Sequence, residues 1–160
     1  IQAALDSGPF DTFMMGDGTS ADNLKAPLGA DTTGSFGAVP WAEGDGTDAF
    51  NAIAEAAGVN FESSFTRESY DAAALLGLAM VASGEWTGSG IAGAVLDVAN
   101  APGEPILPGE LGKAIEILKN GGEIDYVGAT NVELIGPGEA AGTYREYTVE
   151  NGDYSTVMFR

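Results

Sequence analysis

Thr12-Phe13-Met14-Met15-Gly16-Asp17-Gly18 is the stretch on which the reading of the fold turns. A short apolar run bounded by Asp11 on one side and a Gly-acid-Gly turn on the other reads as a buried strand that ends abruptly. The space just past the C-terminal end of a buried strand is where open α/β sheets gather their ligands. A carboxylate at Asp17 can pair there with a ligand cation. Asp between two glycines is also ordinary turn chemistry, and the pattern alone leaves both readings open.

Upstream, Ile1-Gln2-Ala3-Ala4-Leu5 followed by Ser7-Gly8-Pro9 reads as a helix tail with its glycine stop, so the chain is expected to start inside a larger protein. Downstream, Ser20 can cap a helical turn running to Leu28, residues 34–39 read as a second strand ending at Pro40, and residues 41–46 read as a linker. Helices are expected over residues 48–57, 67–83, 91–99 and 109–120. The second carries Tyr70, Ala73, Ala74, Gly77, Met80 and Val81 at helical spacing, and a Pro-rich loop over 101–108 separates the last two. Strand character returns at residues 132–134, 143–150 and 154–159, with Asn151-Gly152 as a hairpin turn. Strands, a block of helices and strands again predict a mixed α/β fold. In it the chain leaves one lobe, builds on another and returns.

Composition narrows the function. With 44% hydrophobic and 19% charged residues the chain is a globular one, and its 24 glycines without a collagen-like period mark turns. Its 24 acidic residues against 6 basic ones, a net charge of −18, exclude a nucleic-acid partner and disfavour anionic membranes, because both need a basic patch. The absence of Cys and His removes disulfides, thiolate or imidazole metal sites, and Ser-His-Asp or Cys-His catalysis. Asp17-Gly18-Thr19-Ser20-Ala21-Asp22 and Asp45-Gly46-Thr47-Asp48 lack the alternating oxygen ligands and distal Glu of a calcium loop. Gly88-Ser89-Gly90-Ile91-Ala92-Gly93 spells the dinucleotide fingerprint but follows a predicted helix where that fingerprint needs a strand. No catalytic residue, cofactor or metal is expected.

Several stretches carry a family resemblance. These are Met15-Gly16-Asp17-Gly18, the strand ending Val39-Pro40, the helix opening Ser69-Tyr70-Asp71-Ala72-Ala73, the helix opening Pro108-Gly109-Glu110-Leu111, and Ile124-Asp125-Tyr126-Val127-Gly128-Ala129-Thr130. Together, and in this order, they are similar to type I periplasmic solute-binding proteins of the branched-chain amino acid (Leu/Ile/Val) family, and the closing stretch over residues 142–152 looks like that family's last strands. The resemblance covers nearly the whole chain and corresponds to the C-terminal portion of such a protein.

It implies two Rossmann-like lobes joined by crossing strands and closing on a ligand by hinge motion, a fold present here only in part, with a C-terminal β-hairpin. Residues 1–40 and 132–160 would belong to the C-terminal lobe, and residues 41–131 to the N-terminal lobe. It further implies that Asp17, flanked by Gly16 and Gly18, pairs with the ammonium group of an amino acid ligand, and that Phe65 lies near that ligand. Some members carry Glu at the position of Asp17, so the carboxylate here reaches less far. The implied role is the substrate-binding component of an ABC transporter. It would deliver an amino acid to a membrane permease from the bacterial periplasm, after export by a signal sequence outside this stretch. Two other classes stay open: a sensor or binding protein for amides, urea or another small solute, and an unrelated acidic enzyme or surface protein. A separated portion is also expected to self-associate through surfaces that its missing parts would cover.

Overall fold

The expected buried strand forms as β1, Met14–Met15, with Met15 buried and Met14 exposed. In the computed structural model, which describes residues 1–19, 32–136 and 138–160, the remaining elements follow in order. Before β1 comes α1 (Gln2–Ser7). After it come β2 (Phe36–Trp41), α2 (Asp45–Ala56), α3 (Thr66–Ser83), α4 (Gly88–Ala99), β3 (Glu104–Ile106), α5 (Leu111–Lys119) and β4 (Ile124–Tyr126). β5 (Glu133–Gly136), β6 (Glu139–Ala141), β7 (Thr143–Glu150) and β8 (Asp153–Phe159) complete the chain. The helical turn expected from Ser20 to Leu28 lies outside the described residues. The chain divides into two compact units, residues 1–41 with 143–160, and residues 42–142.

The first unit is built on a four-stranded sheet in the order β1-β2-β7-β8. β1 runs parallel to β2, whereas β2–β7 and β7–β8 are antiparallel. Its core is Met15, Val39, Tyr147 and Val149, with Phe13 and Tyr154 packed against them. A Cβ at Gly37 would collide with the Met15 carbonyl and lie 2.6 Å from Tyr147 Oη, so glycine is what lets β1, β2 and the tyrosine ring stack. The Asn151-Gly152 hairpin forms with both residues at positive φ, 54° and 88°, as a two-residue turn between twisted strands requires. β2 continues through Pro40 to Trp41 instead of stopping at the proline. β1 pairs with β2 only at Phe36 and Gly37, so the missing N–H of Pro40 costs no ladder bond on that side.

The second unit holds the four helices after β2. α3 is apolar around most of its girth and buries Ala74, Leu75, Leu78 and Ala79 against Ala94, Val98 and Ala99 of α4. Ile106, Ala114, Ile124 and Tyr126 complete this core. One expectation is corrected here. The segment 101–108 is not all loop, because Glu104–Ile106 pairs in parallel with Ile124–Tyr126, and α5 between them makes the helical crossover that parallel strands need. Three-residue strands are too short to show periodicity in sequence, and for that reason they read as loop. The hairpin β5–β6 is grouped with residues 42–142. The Asn100 side chain holds it there by donating to the Leu134 carbonyl (2.8 Å) and accepting from the Leu134 N–H (2.9 Å).

Candidate functional site

In the first unit, β1 delivers the chain directly into a 3-10 turn, Asp17–Thr19, so Gly16, Asp17 and Gly18 come together beyond the strand's C-terminal end. Asp17 is exposed, and its Oδ1 accepts from the Gly18 N–H at 2.6 Å. Local bonds close the turn: the Thr19 hydroxyl and N–H both donate to the Gly16 carbonyl, at 2.7 Å and 3.2 Å. The closing hairpin braces it from the other end of the chain. Tyr154 Oη donates to the Thr19 carbonyl at 2.7 Å, and Tyr147 Oη reaches the Gly16 carbonyl at a long 3.5 Å. The two rings meet edge to face with centroids 5.0 Å apart. A carboxylate is thus presented to solvent on a backbone fixed from both sides. An accessible anion in a preorganised frame can bind an ammonium group at little ordering cost.

Phe65 lies in the second unit, at the N-cap of α3, with φ 63° and 45% of its surface exposed. A bulky residue in the left-handed region is an outlier whose strain the surroundings must hold. They do so on both flanks. The Thr66 hydroxyl donates to the Ser63 carbonyl at 2.9 Å, and Arg67 sends Nε and Nη2 to Asn51 Oδ1 at 3.2 Å and 2.9 Å while stacking over Phe61. Tyr70 packs on Phe50, and its hydroxyl accepts from the Gly109 N–H at 3.2 Å, which ties the start of α3 to the loop before α5.

The most developed polar group of the second unit was not singled out in sequence. Asp71 is 3% exposed and accepts four hydrogen bonds: from Tyr126 Oη (2.9 Å), the Ala129 N–H (2.7 Å), the Thr130 N–H (2.8 Å) and the Thr130 hydroxyl (2.7 Å). Four donors offset the cost of burying a carboxylate. Burial, with the Asp71 charge adding to it, pushes the Tyr126 phenol well above its ordinary range and keeps it a donor. A signal was available, since Asp71 shares the helical face of Ala74, Leu75 and Leu78, and a lone acid on an apolar face has a partner to find.

Gly88-Ser89-Gly90 forms the first turn of α4. The Thr87 hydroxyl caps Gly90 N–H at 3.1 Å, and α3 precedes it, so the fingerprint lacks the strand it needs. Among the described residues no group of three or more acidic side chains is placed to hold a metal ion, and no helix is long and apolar enough to cross a membrane.

A leucine-binding protein, LivK of Thermotoga maritima, superposes on 98% of this chain with a TM-score of 0.65 at 18% sequence identity. The fold is that of a type I periplasmic binding protein. The type I binding fold is present only in part, since the chain spans 39% of that structure. In sequence, 71 residues, 44% of the chain, are 42% identical to the chemotactic signal transduction system substrate-binding protein BasB of Halobacterium salinarum, of whose length they cover 17%. No protein-family model matches the chain. The resemblance read from the motifs and the type I binding fold therefore agree, and both of these relatives are described as binding proteins.

Proposed function

We propose that this chain is part of the substrate-binding component of an ABC importer that captures an amino acid, branched-chain or similar, and passes it to a membrane permease outside the cytoplasm. The single observation that carries the reading is the exposed Asp17 carboxylate in a braced turn at the end of a buried strand, within a type I binding fold. In this reading Asp17, between Gly16 and Gly18, takes the ligand's ammonium group, and Phe65 supplies an aromatic contact. Residues 1–41 and 143–160 belong to the C-terminal lobe, and residues 42–142 to the N-terminal lobe. The protein binds without chemistry.

A second reading has its own support. The stretch similar to BasB, a substrate-binding protein of a chemotactic system, favours a receptor that reports its ligand to a signalling partner. Thermal-shift screening of the full-length protein against leucine, isoleucine, valine, amides and urea tests the ligand class, because a ligand that binds only the native state raises its midpoint. Stabilisation by branched-chain amino acids supports the first part of the proposal; response to none of the amino acids overturns it. Co-purification with a permease or with a transducer separates importer from sensor.

A further inference from the structure

We infer that Asp71 is the positioning residue for the stem by which the chain enters its second unit, and that it keeps this stem rigid as a fixed end for hinge movement. The functional half of this inference rests on the binding-protein reading above; the structural half does not.

β2 ends at Trp41 and α2 starts at Asp45, so residues 42–44 carry the chain from one unit into the other. The stem has no cap of its own. Gly44, the residue before α2, has φ 112° and makes no side-chain capping bond. The loop after β4 holds the stem at three points. Asn131 Nδ2 donates to the Glu43 carbonyl at 2.6 Å. Gly46 lies so close to the Gly128 carbonyl that any Cβ would collide with it. The buried Thr47 hydroxyl donates to the Ala129 carbonyl at 2.9 Å.

That loop is itself irregular, with Gly128 at φ 62° and Asn131 at φ 51°. Its shape is set by Asp71, which takes the N–H groups of Ala129 and Thr130 and the Thr130 hydroxyl, while Tyr126 supplies the fourth donor from β4. Gly128 passes directly over the carboxylate, where a Cβ would lie 2.5 Å from Asp71 Oδ1. Asp71 therefore acts on residues 43–47 only through residues 128–131. An apolar side chain at this place on α3 would serve packing alone at lower desolvation cost, whereas a saturated carboxylate imposes one loop geometry.

The test is amide hydrogen exchange by mass spectrometry on the full-length protein without ligand, comparing wild type with Asp71→Asn and Asn131→Gly. Asn131→Gly keeps the Asp71 shell and suits the positive φ, so it removes the Glu43 bond without strain. Expected is about tenfold faster exchange over residues 44–48 in both variants, with α4 changed by less than about twofold, the mark of local rather than global opening. Wild-type rates over 44–48 in Asn131→Gly, or equal acceleration of α4, would overturn the anchor, and this holds even where Asp71→Asn does not fold. L-leucine is then the probe for function. If wild type binds it, Asn131→Gly should bind several-fold more weakly, and unchanged affinity overturns the hinge role. Silence of wild type toward L-leucine, isoleucine and valine counts against the binding reading and its hinge role, leaving the anchor to the exchange data.

Discussion

Tyr154 donates its phenolic proton to the carbonyl of Thr19, 135 residues earlier in the chain, at 2.7 Å. The bond joins the closing hairpin to the turn that carries Asp17, and it explains why a turn with two flanking glycines holds one shape. Tyr154→Phe deletes this bond and keeps the ring against Tyr147. The variant should lose about 1 kcal/mol of stability in a denaturant melt, the usual net worth of one such bond, with the m-value unchanged.

Asp17 is exposed and its removal opens no cavity, so Asp17→Ala should cost the unliganded full-length protein about 1 kcal/mol, the usual net worth of the Gly18 N–H bond it gives up. Under the proposed function the same substitution strands a desolvated ammonium group, and amino acid affinity should fall by roughly 2–5 kcal/mol in a calorimetric titration. Undiminished affinity would remove Asp17 from the site.

Tyr126 sets an alkaline limit. Its folded-state pKa is raised above the ordinary 10.0, by burial first and the Asp71 charge second, so above that pH the unfolded chain loses the phenolic proton while the folded chain retains it. The unfolded state then binds fewer protons, and stability falls as pH rises. The contribution is complete below pH 10.0 and declines above it by about 1.4 kcal/mol per pH unit. Urea melts from pH 9 to 11 should show this decline, and Tyr126→Phe should flatten it.

Net charge makes the fold depend on salt. Against 24 acidic residues stand 6 basic ones, and Asp71 is the only buried acid among the described residues. The ion pairs of Lys113 with Glu104 and Glu110, and of Arg160 with Glu146, are largely at the surface and offset little of the repulsion. Raising KCl from about 0.01 M to 1 M shortens the screening length from roughly 30 Å to 3 Å. The thermal midpoint should rise by at least ~2–4 °C, the shift that one kcal/mol produces in a chain of this size. A flat or falling midpoint would show that surface repulsion does not limit stability.

Much of this was legible in the residues. The long helix over residues 67–83 appears as α3 at Thr66–Ser83, and the Asn151-Gly152 hairpin forms as read, because a helical apolar period and a two-residue turn code are local signals. β3 and β4 were not read, since three residues carry no period. The turn at residues 16–18 was legible as a turn, but neither tyrosine that braces it was. Asp71 sat in view as an acid on an apolar face, without any sign of which groups it would meet.

What the sequence by itself determined is therefore the local layer: helices, hairpin, the Gly16-Asp17-Gly18 turn after an apolar strand, an acidic surface, and a motif order resembling type I binding proteins. Tertiary structure alone decided which distant groups satisfy one another. Tyr154 reaches Thr19, Asn100 mimics a strand partner for Leu134, and Asp71 gathers Tyr126, Ala129 and Thr130. The physical reason is that a buried donor or acceptor must be paired, and its partner is chosen by proximity in the folded core, which one-dimensional spacing does not encode.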